Sequence, residues 1–222
     1  MSSSNFHSDE TDRTRIYLIR HGIVVPEERD RFNGRTDAAL DPEGLVQLGR
    51  VAEYLKSVPP QQIYSSPLQR CRDSASVLER TFGVGIRIEE GLREMDFGEA
   101  EGLLFAEAKE RFSEETAKWY ADLADYRLPG AETMRQVQDR AWAALQRIVA
   151  AHPGETLAVQ AHGGVNRLIL AQVLGLPINR ILNLAQDYAC LNILDFWPDR
   201  VIVKGLNIQV AETLPGSRPT GM

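Results

Sequence analysis

Little in this 222-residue chain can staple it covalently or through a metal. It has two cysteines, Cys71 and Cys190, and four histidines. Neither cysteine lies in a Cys-x-x-Cys or mixed Cys/His cluster. That excludes a disulfide or zinc framework and leaves two reduced thiols, as expected of a cytoplasmic protein. No His-x-x-x-His spacing is present, so metal-assisted chemistry is the weaker reading and no metal ligands are assigned. No apolar run approaches the roughly 20 residues of a membrane span, and the N-terminus lacks the basic-then-apolar order of a secretion signal. Positive charge is short as well: 25 Lys and Arg stand against 31 Asp and Glu, a net charge of −6. Nucleic acid and anionic membrane surfaces are therefore not expected as partners. An anion could be bound only where positive charge is concentrated locally.

What remains is an ordinary globular composition, 43% hydrophobic and 25% charged, with a mean hydropathy of −0.27. The length suffices to bury one sizeable core. Residues 1–13, rich in Ser, Asp and Thr, read as a disordered tail, and 212–222 as a loose one. The expectation is one domain over 14–211.

The apolar stretch Ile16–Ile19 is short enough for a buried strand and ends abruptly in Arg20-His21-Gly22. Ligands bind beyond the carboxyl ends of strands in α/β sheets, so a cation, an imidazole and a glycine there suit an incoming anion. The alternative is a strand that simply ends in polar loop residues. An arginine-rich loop follows, with Asn33-Gly34-Arg35. Asp41-Pro42 then opens a helix as N-cap and first helical residue, with Leu45, Leu48, Val51, Ala52 and Leu55 at helical spacing. Ile63-Tyr64 is a short strand, after which Ser66 and Pro67 are expected to start a second helix carrying Arg70 in its first turn. An arginine there opposes the helix dipole, which points to anion binding, although an ion pair with Asp73 or Glu79 is the plainer alternative. A strand over Ile86–Ile88 leads into a glycine-rich loop with four carboxylates, Glu94, Asp96, Glu99 and Glu101.

Residues 103–125 interrupt the strand–helix rhythm with two helices, so a cap insertion is expected at about 99–130. A long amphipathic helix follows over Glu132–Ala151, with His152 as a structural residue at its end. The strand Thr156–Ala161 repeats the opening device, ending in His162-Gly163-Gly164 before another helix. A hairpin closes the domain, with strands over Leu191–Trp197 and Val201–Ile208. The expected architecture is a three-layer α/β/α sandwich with a mostly parallel sheet and a helical cap insertion.

In such a sheet His21, Arg70, Glu94 and His162 converge on one crevice, with Arg20 beside His21. A neutral imidazole, cations for the equatorial oxygens and an acid for the leaving oxygen are what phosphoryl transfer requires. The residues now carry a resemblance. Leu18–Gly22, Phe32–Asp37, Ser65–Arg70, Leu92–Gly98 and Ala161–Gly164 fall in the order of the histidine phosphatase superfamily, the phosphoglycerate-mutase-like fold. The resemblance implies a phosphatase without a cofactor, acting on a small phosphorylated metabolite and compatible with a homodimer. It implies His21 as the phosphorylated nucleophile, Glu94 as proton donor and His162 as a third catalytic group. Arg20, Arg70 and Gly163 would bind phosphate.

The chain departs from that family after Gly22. The usual small hydroxyl and asparagine are replaced by Val24 and Glu27, which weakens the phosphate grip unless Asn33 or the Gly34 amide compensates. The cofactor-dependent mutases follow the acid with Arg-His-Tyr-Gly and then place a lysine in the cap. Here Met95-Asp96-Phe97-Gly98 and Phe105 occupy those positions, which favours a phosphatase over a mutase. Within that branch the loops look most like α-ribazole and broad-specificity phosphatases. A regulatory protein that binds a phosphorylated ligand without turnover is the reading from another class.

Overall fold

The computed structural model describes residues 13–211. Apart from Arg13, the tails expected at 1–13 and 212–222 lie outside the described residues. Six strands form one sheet: β1 (Thr14–Arg20), β2 (Gln62–Ser65), β3 (Ile86–Ile88), β4 (Thr156–Ala161), β5 (Leu191–Phe196) and β6 (Val201–Ile208). Their spatial order is β3-β2-β4-β1-β5-β6. The first four run parallel; β5 is antiparallel to its neighbour β1, and β6, antiparallel to β5, runs in the direction of the first four again.

Strand periodicity divides the core into two layers. Ile16, Leu18, Leu157 and Val159 face one side, where they meet α5 (Met134–Ala151) and α6 (Gly163–Leu174). Tyr17, Ile19 and Ala158 face the other, against α1 (Pro42–Leu55) and α2 (Gln69–Phe82). All six residues of β4 are buried, as a central strand covered on both faces requires. β1 and β4 lie side by side, so His21 and His162 leave the sheet at adjacent strand ends.

The cap consists of α3 (Phe105–Arg111) and α4 (Ser113–Ala121). Its neck is closed by two backbone hydrogen bonds, Glu99 N–H to Pro129 O and Glu132 N–H to Asp96 O, both 2.9 Å. Gly98 makes this approach possible: it has φ +58°, and a Cβ there would meet Pro129 O at 2.1 Å. The five-ring cluster of Phe32, Phe97, Phe105, Trp119 and Tyr120 fastens the cap to the loop after β1, with neighbouring centroids 4.8–6.5 Å apart.

Three expectations need correction. Ser66 and Pro67 do not start α2, which begins at Gln69 without a side-chain cap; the Ser66 hydroxyl is taken by His162, 2.7 Å away. α5 starts at Met134 rather than Glu132, because Thr133 and Gln136 form a reciprocal capping box. α6 starts at Gly163, directly after the strand-end histidine, and not at Val165 beyond the glycine pair as the sequence suggests. Asp41 does cap α1, accepting from Glu43 N–H at 2.9 Å. His152 is a structural residue at the end of α5, with its ring between Tyr64 Oη and Glu155.

Candidate active site

His21 is held from four directions. Its N–H donates to Ala161 O at 3.1 Å and its carbonyl accepts from Ala189 N–H at 3.0 Å. The next residue, Gly22, donates to Ser74 Oγ at 3.1 Å and packs on the Gly44 backbone, where a Cβ would lie 2.5 Å from an oxygen. The ring itself is fixed by Nδ1, 2.9 Å from Gly22 O. A carbonyl can only accept, so Nδ1 carries the proton and the Nε2 lone pair is free. Among the described residues nothing hydrogen-bonds to Nε2. Burial, reinforced by the charges of Arg20 and Arg70, holds the imidazole pKa well below its ordinary value. A neutral, nucleophilic ring at pH 7 follows.

His21 lies on the wall of a cavity of about 520 Å³, together with Arg20, Glu94, Gly163 and Gly164. Arg20 stacks its guanidinium 3.8 Å over the Tyr188 ring and donates from Nη1 to Gln186 O at 2.6 Å, while its buried Nε has no partner. Glu94 sits at the N-terminus of α6. Oε2 accepts from Gly164 N–H and Oε1 from Met95 N–H, each at 3.0 Å. Arg140 on α5 fixes the loop beneath by donating to the carbonyls of Gly91, Arg93 and Glu94.

Arg70 and His162 stand behind this wall rather than on it. Arg70 is 1% exposed. It donates to Thr36 O at 2.5 Å, to Asn33 O and Gly34 O at 2.9 Å, and from Nε to His162 Nδ1 at 3.2 Å. It pairs with neither Asp73 nor Glu79; its charge is lodged among carbonyls. Accepting from Arg70 makes His162 the Nε2–H tautomer, which donates to Ser66 Oγ. Its ring centroid is 5.3 Å from that of His21. Burial, and next the Arg70 charge, lower its pKa strongly.

The loop at 33–36 does not supply the compensation expected of it in this structure. The Gly34 amide donates to Glu101 Oε2 at 3.2 Å, as part of a set in which that carboxylate also accepts from the amides of Arg35, Thr36 and Phe97. Asn33 Nδ2 donates to Glu28 O; its Oδ1 is buried without a partner, and the residue lines the cavity. Val24 is buried in a bridge with Leu40. Glu27 is exposed and off the cavity wall, so it does not repel an anion there. Of the four carboxylates after β3, Glu94 lines the cavity and Glu101 organises a loop. Asp96 pairs with Arg35 at 3.1 Å, and Glu99 is exposed.

Sequence reasoning missed Arg167. It lines the cavity, donates from Nε to Leu184 O at 2.7 Å, and has no carboxylate within ion-pair distance among the described residues. An ideal Cβ on Gly163 would lie 3.2 Å from both Arg167 Nη1 and Arg20 Nε, so two guanidiniums flank that glycine. Burial and the nearby Arg20 lower the Arg167 pKa. The signal was its spacing: four residues past Gly163 is one helical turn on the same face. Tyr188 gave no local signal, because a loop between a 3-10 turn and β5 brings it in.

Among the described residues no group of three or more His, Cys, Asp or Glu side chains could hold a metal ion, and no helix is long and apolar enough to cross a membrane. The comparisons agree with the geometry. Residues 16–209 match the family model of the histidine phosphatase superfamily (branch 1). The chain is 34% identical over 84% of its length to a bifunctional protein of Mycobacterium tuberculosis, and spans about half (51%) of that relative. It is 32% identical to a metal-independent phosphoserine phosphatase of Arabidopsis thaliana, covering 86% of this chain and 83% of that one. The structure of a mycobacterial glucosyl-3-phosphoglycerate phosphatase superposes with a TM-score of 0.79 at 26% identity, over 88% of this chain and 99% of that one. On its sequence, its sheet and the residues gathered at its strand ends, the chain belongs to the histidine phosphatase superfamily.

Proposed function

We propose that the chain hydrolyses a small phosphomonoester through a phospho-histidine intermediate, with Nε2 of His21 as the nucleophile. The observation that carries this is the Nδ1–H to Gly22 O hydrogen bond. It sets the tautomer, while burial keeps the ring neutral. In the first displacement Nε2 attacks phosphorus and the ester P–O bond breaks. Protonated Glu94 gives its proton to the departing oxygen. In the second, ionised Glu94 takes a proton from water as that oxygen attacks phosphorus, the P–N bond breaks, and phosphate leaves with His21 restored.

Arg20 and Arg167 are the cations that meet the equatorial oxygens from the cavity wall. This second guanidinium takes over donors that the family has at the positions of Val24 and Glu27. Arg70 and His162 act from behind: Arg70 adds positive potential, and His162 with Ser66 keeps Arg70 in place. The reaction requires no metal. A small phosphorylated metabolite is the partner this cavity fits, and phosphoserine, named for one relative, belongs in any substrate panel.

The test is steady-state phosphate release from a panel of phosphoesters in excess chelator, with capture of labelled protein after a quench in alkaline detergent. Turnover in chelator, and an acid-labile phosphoryl adduct that His21→Ala lacks, are expected. Turnover surviving in His21→Ala, or demanding a divalent cation, would overturn the mechanism. Tight phosphate binding with no turnover of any ester would favour a regulatory role.

A further inference from the structure

The cavity is much larger than a phosphoryl group, and its two ends differ in chemistry. At the His21 end lie Arg20 and Arg167. The far wall is the ring cluster of the cap. Phe105 and Tyr120 line it while remaining 49% and 57% exposed, so apolar surface is open to whatever enters. Besides Arg20, Glu94 and Arg167, the charged residues that line the cavity are Glu28, Asp30 and Arg31; Asp30 O accepts from Phe105 N–H at 2.9 Å and Arg31 bridges to Leu104, which joins them to the start of the cap. Arg31 is committed to backbone, donating from Nε to Glu27 O at 2.6 Å and from Nη1 to Gly102 O at 2.7 Å. Two carboxylates and one preoccupied guanidinium make poor company for a second anion. Aromatic faces and edges, by contrast, favour an apolar or aromatic body.

From this asymmetry we infer that the site takes monoesters whose leaving group is uncharged and apolar or aromatic, and discriminates against leaving groups that carry a carboxylate. The inference rests on the phosphatase reading above and specifies its substrate class. The phosphate end supplies affinity common to all esters. The cap wall supplies the difference between them, because selectivity is a difference of affinities and includes repulsion of the wrong ligand.

The experiment compares kcat/KM for 2-phenylethyl phosphate, ethyl phosphate and 3-(phosphonooxy)propanoate, whose leaving group carries a carboxylate and no ammonium. All three are alkyl esters, so leaving-group reactivity differs far less than with aryl esters. Phenylethyl phosphate should exceed the carboxylate ester by about 100-fold or more, since ring contacts and carboxylate repulsion each contribute on the order of tenfold. Phe105→Ala, or Tyr120→Ala should the first variant fold poorly, should cut the phenylethyl-to-ethyl preference by about tenfold. The pair Glu28→Gln and Asp30→Asn should raise the carboxylate ester relative to ethyl phosphate. The carboxylate ester preferred by the wild-type chain, or a phenylethyl-to-ethyl ratio unmoved by both ring variants, would overturn the inference while leaving the phosphatase reading intact. Absence of turnover with every ester would overturn both.

Discussion

Replacing Gly164 by alanine separates the placement of Glu94 from the stability of the fold. Gly164 lies in the first turn of α6. Its amide holds Glu94 Oε2 at 3.0 Å, yet a Cβ on the same residue would lie 2.6 Å from Oε1, so the carboxylate must retreat by about 0.8 Å to reach ordinary contact at 3.4 Å. Two terms in stability oppose each other. Alanine in a helix gains about 1 kcal/mol over glycine, while a weakened hydrogen bond to a charged acceptor costs about 1.5–3 kcal/mol. The net destabilisation is then no more than about 2 kcal/mol, and for a chain of this size Tm falls by no more than roughly 8 °C. Catalysis has no such compensation. A misplacement approaching 1 Å costs about 10²-fold, and general acid catalysis is worth about 10²–10⁴-fold in all. The assay is kcat/KM for an alkyl phosphate, whose alkoxide needs the proton, beside p-nitrophenyl phosphate, whose phenolate leaves well without it. The alkyl ester should lose about 100-fold and the nitrophenyl ester far less. Equal losses on both esters, or none, would refute the assignment of Glu94 as proton donor.

Arg167→Ala should raise the inhibition constant of inorganic phosphate by about 10- to 100-fold, the range for losing a charge-assisted contact. An unchanged constant would remove Arg167 from the phosphate site. His21 and His162 both have folded pKa values well below the ordinary imidazole value. Below about pH 6.5 the unfolded chain therefore binds more protons than the folded one, and stability falls with pH by up to about 1.4 kcal/mol per unit for each histidine. Denaturant titrations at pH 7 and 5.5 should show a smaller loss in His21→Asn than in the wild type; equal losses would contradict the buried neutral ring. For the same reason, kcat/KM corrected for substrate ionisation should show no loss centred near pH 6.5, and an acid limb there would mean that His21 titrates normally.

Strand–helix alternation and four of the five core site residues are legible locally: Arg20, His21 and His162 close apolar runs at strand ends, and Arg70 opposes the dipole in the first turn of a helix. Glu94 was harder to single out, being one of four acids within eight residues. Only packing distinguishes it: α6 begins beside it, whereas Glu101 is drawn to the amides of 34–36 and Asp96 to Arg35. Serine-proline spacing suggested a cap at Ser66, and a long-range contact from β4 claimed that hydroxyl instead.

The one-dimensional pattern was enough to determine the layered α/β class, the order of its elements along the chain and an imidazole at each of two strand ends, because periodicity and helix signals act over a few residues; that the two strands lie side by side is decided by the sheet order. Tertiary structure decided which cations reach the cavity. Arg70 is turned inward to carbonyls and His162, while Arg167, a turn into α6, comes to the wall. Tertiary structure also decided the character of the far wall. Five rings spread from residue 32 to residue 120 become one surface only when the cap folds back over the loop after β1. No local rule encodes contacts between residues so far apart in the chain.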